Sequence, residues 1–313
     1  MRAMFWAAVL AVFASAQSTE RVLHFVHTAD LKNQQEIATA VRTIAMIRDV
    51  NLDSSGTLTI RGAAEQFALG EWLVKTLDVE SPRNPGEPYL VTGTDEAVRV
   101  LYLPETKTVQ DFQEVATLVR TIAEIRYVFT YNDQRALVLR ADADQLALTE
   151  FLLAEFHQPH PDTKEYRMAS GNENITRVFQ IASANSVQEF QQMATAARTI
   201  VNVRRVFTLN TPREIAMRGD ANQIAAAAWF LNQLDHSAPG APPEYRDETQ
   251  ADNVIHLFYL DPSTSIPDLQ KTATSIRTNA DIRQIFTYDP RRVVAVRGTS
   301  SQIDKAKDLL AVR

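Results

Sequence analysis

The chain has 313 residues, 45% of them hydrophobic and 22% charged, with a formal net charge of −6 and no cysteine. That is a globular balance long enough for several small domains. The acidic balance excludes bulk electrostatic binding to nucleic acid or anionic membranes. The missing cysteine excludes disulfides, thiolate metal sites, cysteine nucleophiles and a lipid on cysteine, so packing and association must supply stability.

The first element is the stretch "MRAMFWAAVLAVFASA". Arg2 gives a positive start, residues 3–14 are apolar, and "ASA" at 14–16 is a small-residue cleavage site. Twelve apolar residues make a helix of about 18 Å, too short for a hydrocarbon core of about 30 Å. The pattern predicts a signal peptide over 1–16 and an exported mature chain.

Beyond it the chain repeats. "VRTIAMIRDV" at 41–50 returns as "VRTIAEIRYV" at 119–128, "ARTIVNVRRV" at 197–206 and "IRTNADIRQI" at 276–285. The first arginines, Arg42, Arg120, Arg198 and Arg277, step by 78, 78 and 79 residues; the second, Arg48, Arg126, Arg204 and Arg283, lie six further on. Each unit opens with a strand rich in β-branched and aromatic residues ("RVLHFV", "VRVLYL", "TRVFQI", "VIHLFYL"). A helix follows, with caps at Asp30, Thr108, Ser186 and Ser265 and an acid three residues on in the last three units. A two-stranded hairpin comes next, ending in Arg61-Gly62, Arg140-Ala141, Arg218-Gly219 or Arg297-Gly298. A second helix carries Gln66, Gln145, Gln223 or Gln302 at the same register.

The reading is an α+β tandem array of four βαββα modules at 21–78, 98–156, 176–235 and 254–313. Pro-rich linkers cover 79–97, 157–175 and 236–253. Proline makes such linkers extended and semi-stiff. Tyr89, Tyr166 and Tyr245 recur in them and are expected to pack on a neighbouring module.

A search for chemistry finds little. Neither phosphate-binding glycine pattern occurs among nine glycines, nor a G-x-S-x-G elbow. His24 and His27 fall on opposite faces of a strand, and His157-x-x-His160 flanks Pro159 in a linker. No module carries the GXXG clamp of RNA-binding KH domains. The expectation is therefore no enzyme, no cofactor, no metal and no nucleic acid.

The eight repeated arginines admit two readings. Each could offer a fork to an anion or a peptide carboxylate. Alternatively, the first complements a helix C-terminus and the second ties the loop beyond it, which suits all four modules without a ligand. On the second helix, positions +1, +4, +8 and +11 from the register glutamine read as the core stripe, for example Phe67, Gly70, Val74 and Leu77, or Leu146, Thr149, Leu153 and Phe156. Positions +3 and +6 point away from it and hold Leu69 and Trp72, Leu148 and Phe151, and Ala226 and Trp229, but Lys305 and Asp308 in the last module. Leu69, Trp72, Leu148, Phe151 and Trp229 are the candidate contacts between modules or with a partner. Trp72 and Trp229 should be covered from outside their own modules, the polar fourth module acting as a cap.

"YNDQRALVLRADADQLALTEFLLAEF" at 131–156 and "IAMRGDANQIAAAAWFLNQLD" at 215–235 resemble the repeated N-terminal domains of bacterial secretins. Those are the KH-like, ring-building periplasmic modules of type II and III secretion and type IV pilus channels. The resemblance covers 21–313 and departs where a pore domain would follow. It implies a non-enzymatic scaffold in the periplasm or at the periplasmic face of the outer membrane. Its partners would be proteins: a secretin, a secretion component or further copies of itself. A periplasmic binding module for an envelope peptide or glycan is the alternative.

Overall fold

The computed structural model describes residues 19–84, 86–155, 165–211, 213–236, 244–247 and 252–311. The signal peptide at 1–16, Phe156 and the His157/His160 pair lie outside the described residues. Two compact units are present, one built from the residues up to 112 with 126–142, the other from 113–125 with those from 143 onward. The boundary runs through the second module, whose strands belong to the first unit and whose helical residues 113–125 and 143–155 belong to the second.

In the first unit, β1 (Thr19–His24), β3 (Thr57–Gly62) and β2 (Asp49–Leu52) form an antiparallel sheet in that order. Its inner face carries Leu23, Val50, Leu58 and Ile60 toward α1 (Leu31–Ile44) and α2 (Ala64–Leu77). The sequence "TLTI" alternates because only one side of this sheet is covered. The second sheet of the unit has the order β4 (Tyr89–Leu90), β5 (Glu96–Tyr102), β7 (Ala136–Asp142), β6 (Tyr127–Tyr131). Here "ALVL" is apolar without a break, and all four residues are completely buried.

The second unit continues with α3 (Val109–Leu118, shared with the first), a π-helical turn at Val119–Ala123, and α4 (Ala143–Glu155). Its third module has β8 (Glu165–Arg167), β9 (Ile175–Gln180), α5 (Val187–Val201), β10 (Arg205–Leu209), β11 (Glu214–Gly219) and α6 (Ala221–His236). The fourth has β12 (Glu244–Arg246), β13 (Val254–Tyr259), α7 (Ile266–Asn279), β14 (Gln284–Tyr288), β15 (Val293–Gly298) and α8 (Ser300–Ala311). Both sheets repeat the four-stranded antiparallel order of the second module.

One feature differs from the sequence reading. The segments read as linkers each contribute a short edge strand, β4, β8 or β12, to the sheet that follows. Two or three residues are too few to display a period-2 pattern.

The register glutamines have a common task. The first helix of every module exits through a residue with left-handed φ: Met46 (56°), Glu124 (56°), Asn202 (64°) and Asp281 (52°). That conformation costs a residue with a Cβ roughly 1–2 kcal/mol. The glutamine side-chain amide donates to the carbonyl of that residue, Gln66 to Met46 at 2.8 Å, Gln145 to Glu124 at 3.1 Å, Gln223 to Asn202 at 2.9 Å and Gln302 to Asp281 at 2.6 Å. Its oxygen accepts from the backbone at the start of the second helix, at Ala63, Asp220 and Thr299. A Cβ at Gly62 would stand 2.7 Å from Gln66 Oε1, which accounts for the glycine after that strand-end arginine.

At the other end of the second helix, Asp78 accepts the backbone N–H groups of Val26, His27 and Thr28, and Asp235 those of Ala182 and Ser183. Burial raises the Asp78 pKa, but these donors outweigh it and hold the carboxyl below the usual range. Its contribution to stability is present above about pH 4 and lost as pH falls below that.

Gln223→Ala and Gln302→Ala are each expected to cost about 1–3 kcal/mol in denaturant unfolding, because a strained carbonyl and a helix N–H lose their partner. Asn202→Gly in the same assay should be neutral or stabilising.

Candidate interaction surfaces at the module junctions

A sheet has two faces, and its own helices cover one. In the second module the outer face carries Val98, Val100 and Tyr102 on β5, Ala136 and Val138 on β7, and Phe129 and Tyr131 on β6. These join one hydrophobic cluster with Ile37, Val41 and Ile44 of α1. The fourth module repeats this with Ile255, Leu257, Tyr288, Val293 and Ala295, in one cluster with residues of α5 and α6. The first helix of one module thus lies on the outer face of the next sheet.

The strand-end arginine fastens each of these junctions. Arg140 Nη1 donates to Ile44 O at 3.1 Å, Arg218 Nη1 to Ile122 O at 3.0 Å, and Arg297 Nη1 to Val201 O at 2.7 Å and Ile200 O at 3.2 Å. Each target lies 96 or 97 residues earlier, among the last carbonyls of the preceding first helix. Those carbonyls have no intrahelical donor and carry the negative end of the helix dipole, so a guanidinium suits them. The Nε of the same arginines is held by Glu96 Oε2 at 2.7 Å, Glu173 O at 2.9 Å and Asn253 Oδ1 at 2.7 Å. Burial lowers the pKa of Arg297. Arg61, at the same strand position in the first module, is exposed and pairs with Glu20 at 2.8 Å and Asp49 at 3.4 Å.

Further bonds brace the junctions. Glu36 accepts the Asn132 N–H, and Gln284 reaches Thr199 O at 3.4 Å. Tyr102 donates its hydroxyl to Thr76 O at 2.6 Å, and burial pushes its pKa up to about 12. Arg205 pairs with Glu124 at 2.7 Å and with Glu173.

An aromatic pair recurs between each second helix and the edge strand that follows. Trp72 meets Tyr89 with ring centroids 5.4 Å apart, Phe151 meets Tyr166 at 5.3 Å, and Trp229 meets Tyr245 at 5.6 Å. All six rings are half-buried. Tilted aromatic pairs at this separation add about 0.5–1.5 kcal/mol beyond area burial. Leu69 and Leu148 are buried, 2% and 0% exposed. The core stripe on the second helix is wider than the sequence reading drew it and includes the +3 and +7 positions, as at Leu69 and Leu73. At Lys305 the +3 position is exposed.

The eight arginines of the opening motif are all exposed. Arg42 Nη2 donates to Val50 O at 2.8 Å and Arg198 Nη2 to Val206 O at 3.0 Å, each tying a helix end to its own hairpin. Arg126 stacks over Tyr127 at 5.3 Å. Arg277 lines a shallow cleft with Ile285, Phe286 and Thr287. Sequence reading missed Arg140, Arg218 and Arg297; the signal was their recurrence at one register, noted only as a strand end.

Among the described residues no group of three His, Asp or Glu side chains could hold a metal ion. A cleft of about 280 Å³ lies in the second unit beside Arg297, lined also by Asn202, Asp220, Tyr245, Asp247 and Asn253. Near it, His256 is buried with Nδ1 3.3 Å from Glu244 Oε2, and Glu244 also binds Lys307 and Arg246. Burial pushes the His256 pKa down, against the pull of Glu244.

The chain is similar to solved secretins. The type II secretion system secretin GspD of E. coli K12 matches at 13% identity and a TM-score of 0.17, over 71% of this chain and 39% of that one. Aeromonas hydrophila ExeD matches at 13% identity and a TM-score of 0.17, over 71% and 42%. The N-terminal domain of the secretin XcpQ from Pseudomonas aeruginosa matches at 10% identity and a TM-score of 0.20, over 47% and 69%. The chain spans about two fifths of the length of GspD and ExeD. No family model matches it, and no curated protein does.

Arg297→Ala should cost about 1.5–3 kcal/mol in denaturant unfolding, since a charged donor to buried carbonyls is lost. Arg61→Ala in the same assay should cost far less than Arg297→Ala, because its ion pairs are solvent-exposed. Because the unfolded chain binds a proton at His256 more readily than the folded one, stability should drop as pH falls below about 6.5, and His256→Gln should flatten that part of the curve.

Proposed function

We propose that this chain is an exported, non-enzymatic scaffold or interaction protein of the cell envelope. It is similar to the periplasmic domains of secretins and works through domain contacts in a secretion- or pilus-type assembly. The observation that carries this reading is where the repeated chemistry is spent. Arg140, Arg218 and Arg297 bind helix ends of the preceding module, and the aromatic pairs join second helices to following edge strands. These recurring residues hold modules against one another, which is what a spacer of defined length needs. The residues over 1–16 carry the export signal in this reading. Among the described residues no helix is long and apolar enough to cross a membrane.

The polar cleft beside Arg297 supports a second reading, a periplasmic binding module for an envelope peptide or glycan. Its tyrosine, amides and acids suit hydroxyl and amide groups.

Two measurements test the proposal. Intact-mass analysis of protein recovered from the envelope should give a chain beginning at Gln17. Affinity capture from envelope extract should recover a channel or secretion component, and capture of peptides or glycans alone would give the second reading instead.

A further inference from the structure

The cleft beside Arg297 lies between the third and fourth modules, inside the second unit, and two positions of the repeat change character there. At position +3 of the second helix, Leu69 and Leu148 are buried, whereas the third module has Ala226, which lines the cleft. Just beyond each edge strand, Val91, Met168 and Asp247 donate their backbone N–H to the start of the following strand, at Glu96 O, Asn174 O and Asn253 O. Their side chains therefore share one register, apolar in the first two cases and a carboxylate in the third. From this paired exchange we infer that the cleft binds one uncharged sugar ring bearing an acetamido group. The inference rests on the reading of the cleft as a binding module and names its ligand class.

The lining has the chemistry such a ring requires. The floor is apolar, made by the buried residues Val201, Ala226 and Ile255. The wall is the ring of Tyr245, backed by Trp229 at a centroid distance of 5.6 Å. The C–H faces of a sugar pack on surfaces of this kind. Around them, the carboxylates of Asp220 and Asp247 accept from hydroxyl groups, and the exposed amides of Asn202 and Asn222 both donate and accept. Asp247 is only 8% exposed, so its carboxylate belongs to the cleft and not to the solvated surface. Neighbouring hydroxyls on a ring match the two oxygens of a carboxylate, which the single N–H of a peptide unit does not.

Charge and size narrow the ligand further. The Arg297 guanidinium is bonded to Val201 O and Asn253 Oδ1; burial lowers its pKa, and Asp247 and Asp220 pull against that. Two acids against one guanidinium leave the lining negative, which disfavours a phosphate, sulfate or carboxylate ligand. The volume of about 280 Å³ falls just below the roughly 300–1,000 Å³ of pockets that take drug-sized ligands, so it suits one ring and not a chain of them. The isopropyl group by which leucine exceeds alanine is missing from the floor at Ala226. An acetamido methyl fills an apolar gap of that kind, while its N–H and C=O meet the carboxylates and amides beside it.

Titration calorimetry of the purified chain with methyl β-N-acetylglucosaminide is expected to show saturable binding. Methyl β-glucoside, which lacks the acetamido group, should bind about tenfold more weakly or worse. Ala226→Leu restores the residue of the first two modules. It should lower the affinity about tenfold or more while leaving the thermal midpoint unchanged or raised, since it adds buried apolar surface where there is room. Asp247→Asn, which keeps the shape of the side chain, should weaken binding without unfolding the protein. N-acetylalanine methylamide is the peptide probe. If it binds and Ala226→Leu removes that binding, while the sugar does not bind, the inference falls and the binding-module reading stands. Equal binding of the two glycosides overturns the inference, as does sugar binding indifferent to both substitutions. Binding of neither sugar nor peptide overturns it together with that reading.

Discussion

The constraint on which the rest depends is a guanidinium set against the last carbonyls of a helix nearly a hundred residues earlier in the chain. A helix end leaves carbonyls without donors, and a strand whose outer face is covered brings its terminal side chain to that end. Arg140, Arg218 and Arg297 meet both conditions at once. The bond needs the helix to stop at a defined residue and the sheet to lie flat against it. It therefore fixes the spacing between modules as well as contributing energy.

Strain inside each module prepares that contact. The left-handed exit at Met46, Glu124 and Asn202 turns the chain away so that the final helical carbonyls stay open to the next sheet. The glutamine of the second helix holds the exit in place and caps its own helix with the same side chain. A small module buries little apolar surface alone. The unbroken apolar strands β7 and β15 show that covering the second face is part of the folding energy, since Ala136, Val138, Val293 and Ala295 are fully buried.

Much of this was legible in the chain. Helix caps at Asp30, Ser186 and Ser265 bond as their spacing implies, because a cap is a contact over three residues. The tyrosines of the Pro-rich segments and the aromatics Trp72, Phe151 and Trp229 each stood out by recurrence, and ring contacts join them pairwise. The edge strands β4, β8 and β12 were hidden by their length. Leu69 and Leu148 lie outside the narrow stripe drawn from spacing yet are buried, because the second helices are covered over a wider arc. Of the conspicuous arginines of the opening motif, Arg42 and Arg198 tie helix ends to their own hairpins.

By itself the sequence determined four α+β modules, their register and their caps, because periodicity, β-branching and capping act over a few residues and leave a local pattern. Only the tertiary structure decided which arginine mattered. The difference between Arg61 and Arg140, Arg218 or Arg297 is the presence of a helix end from elsewhere in the chain, and a contact across 96 residues leaves no local mark.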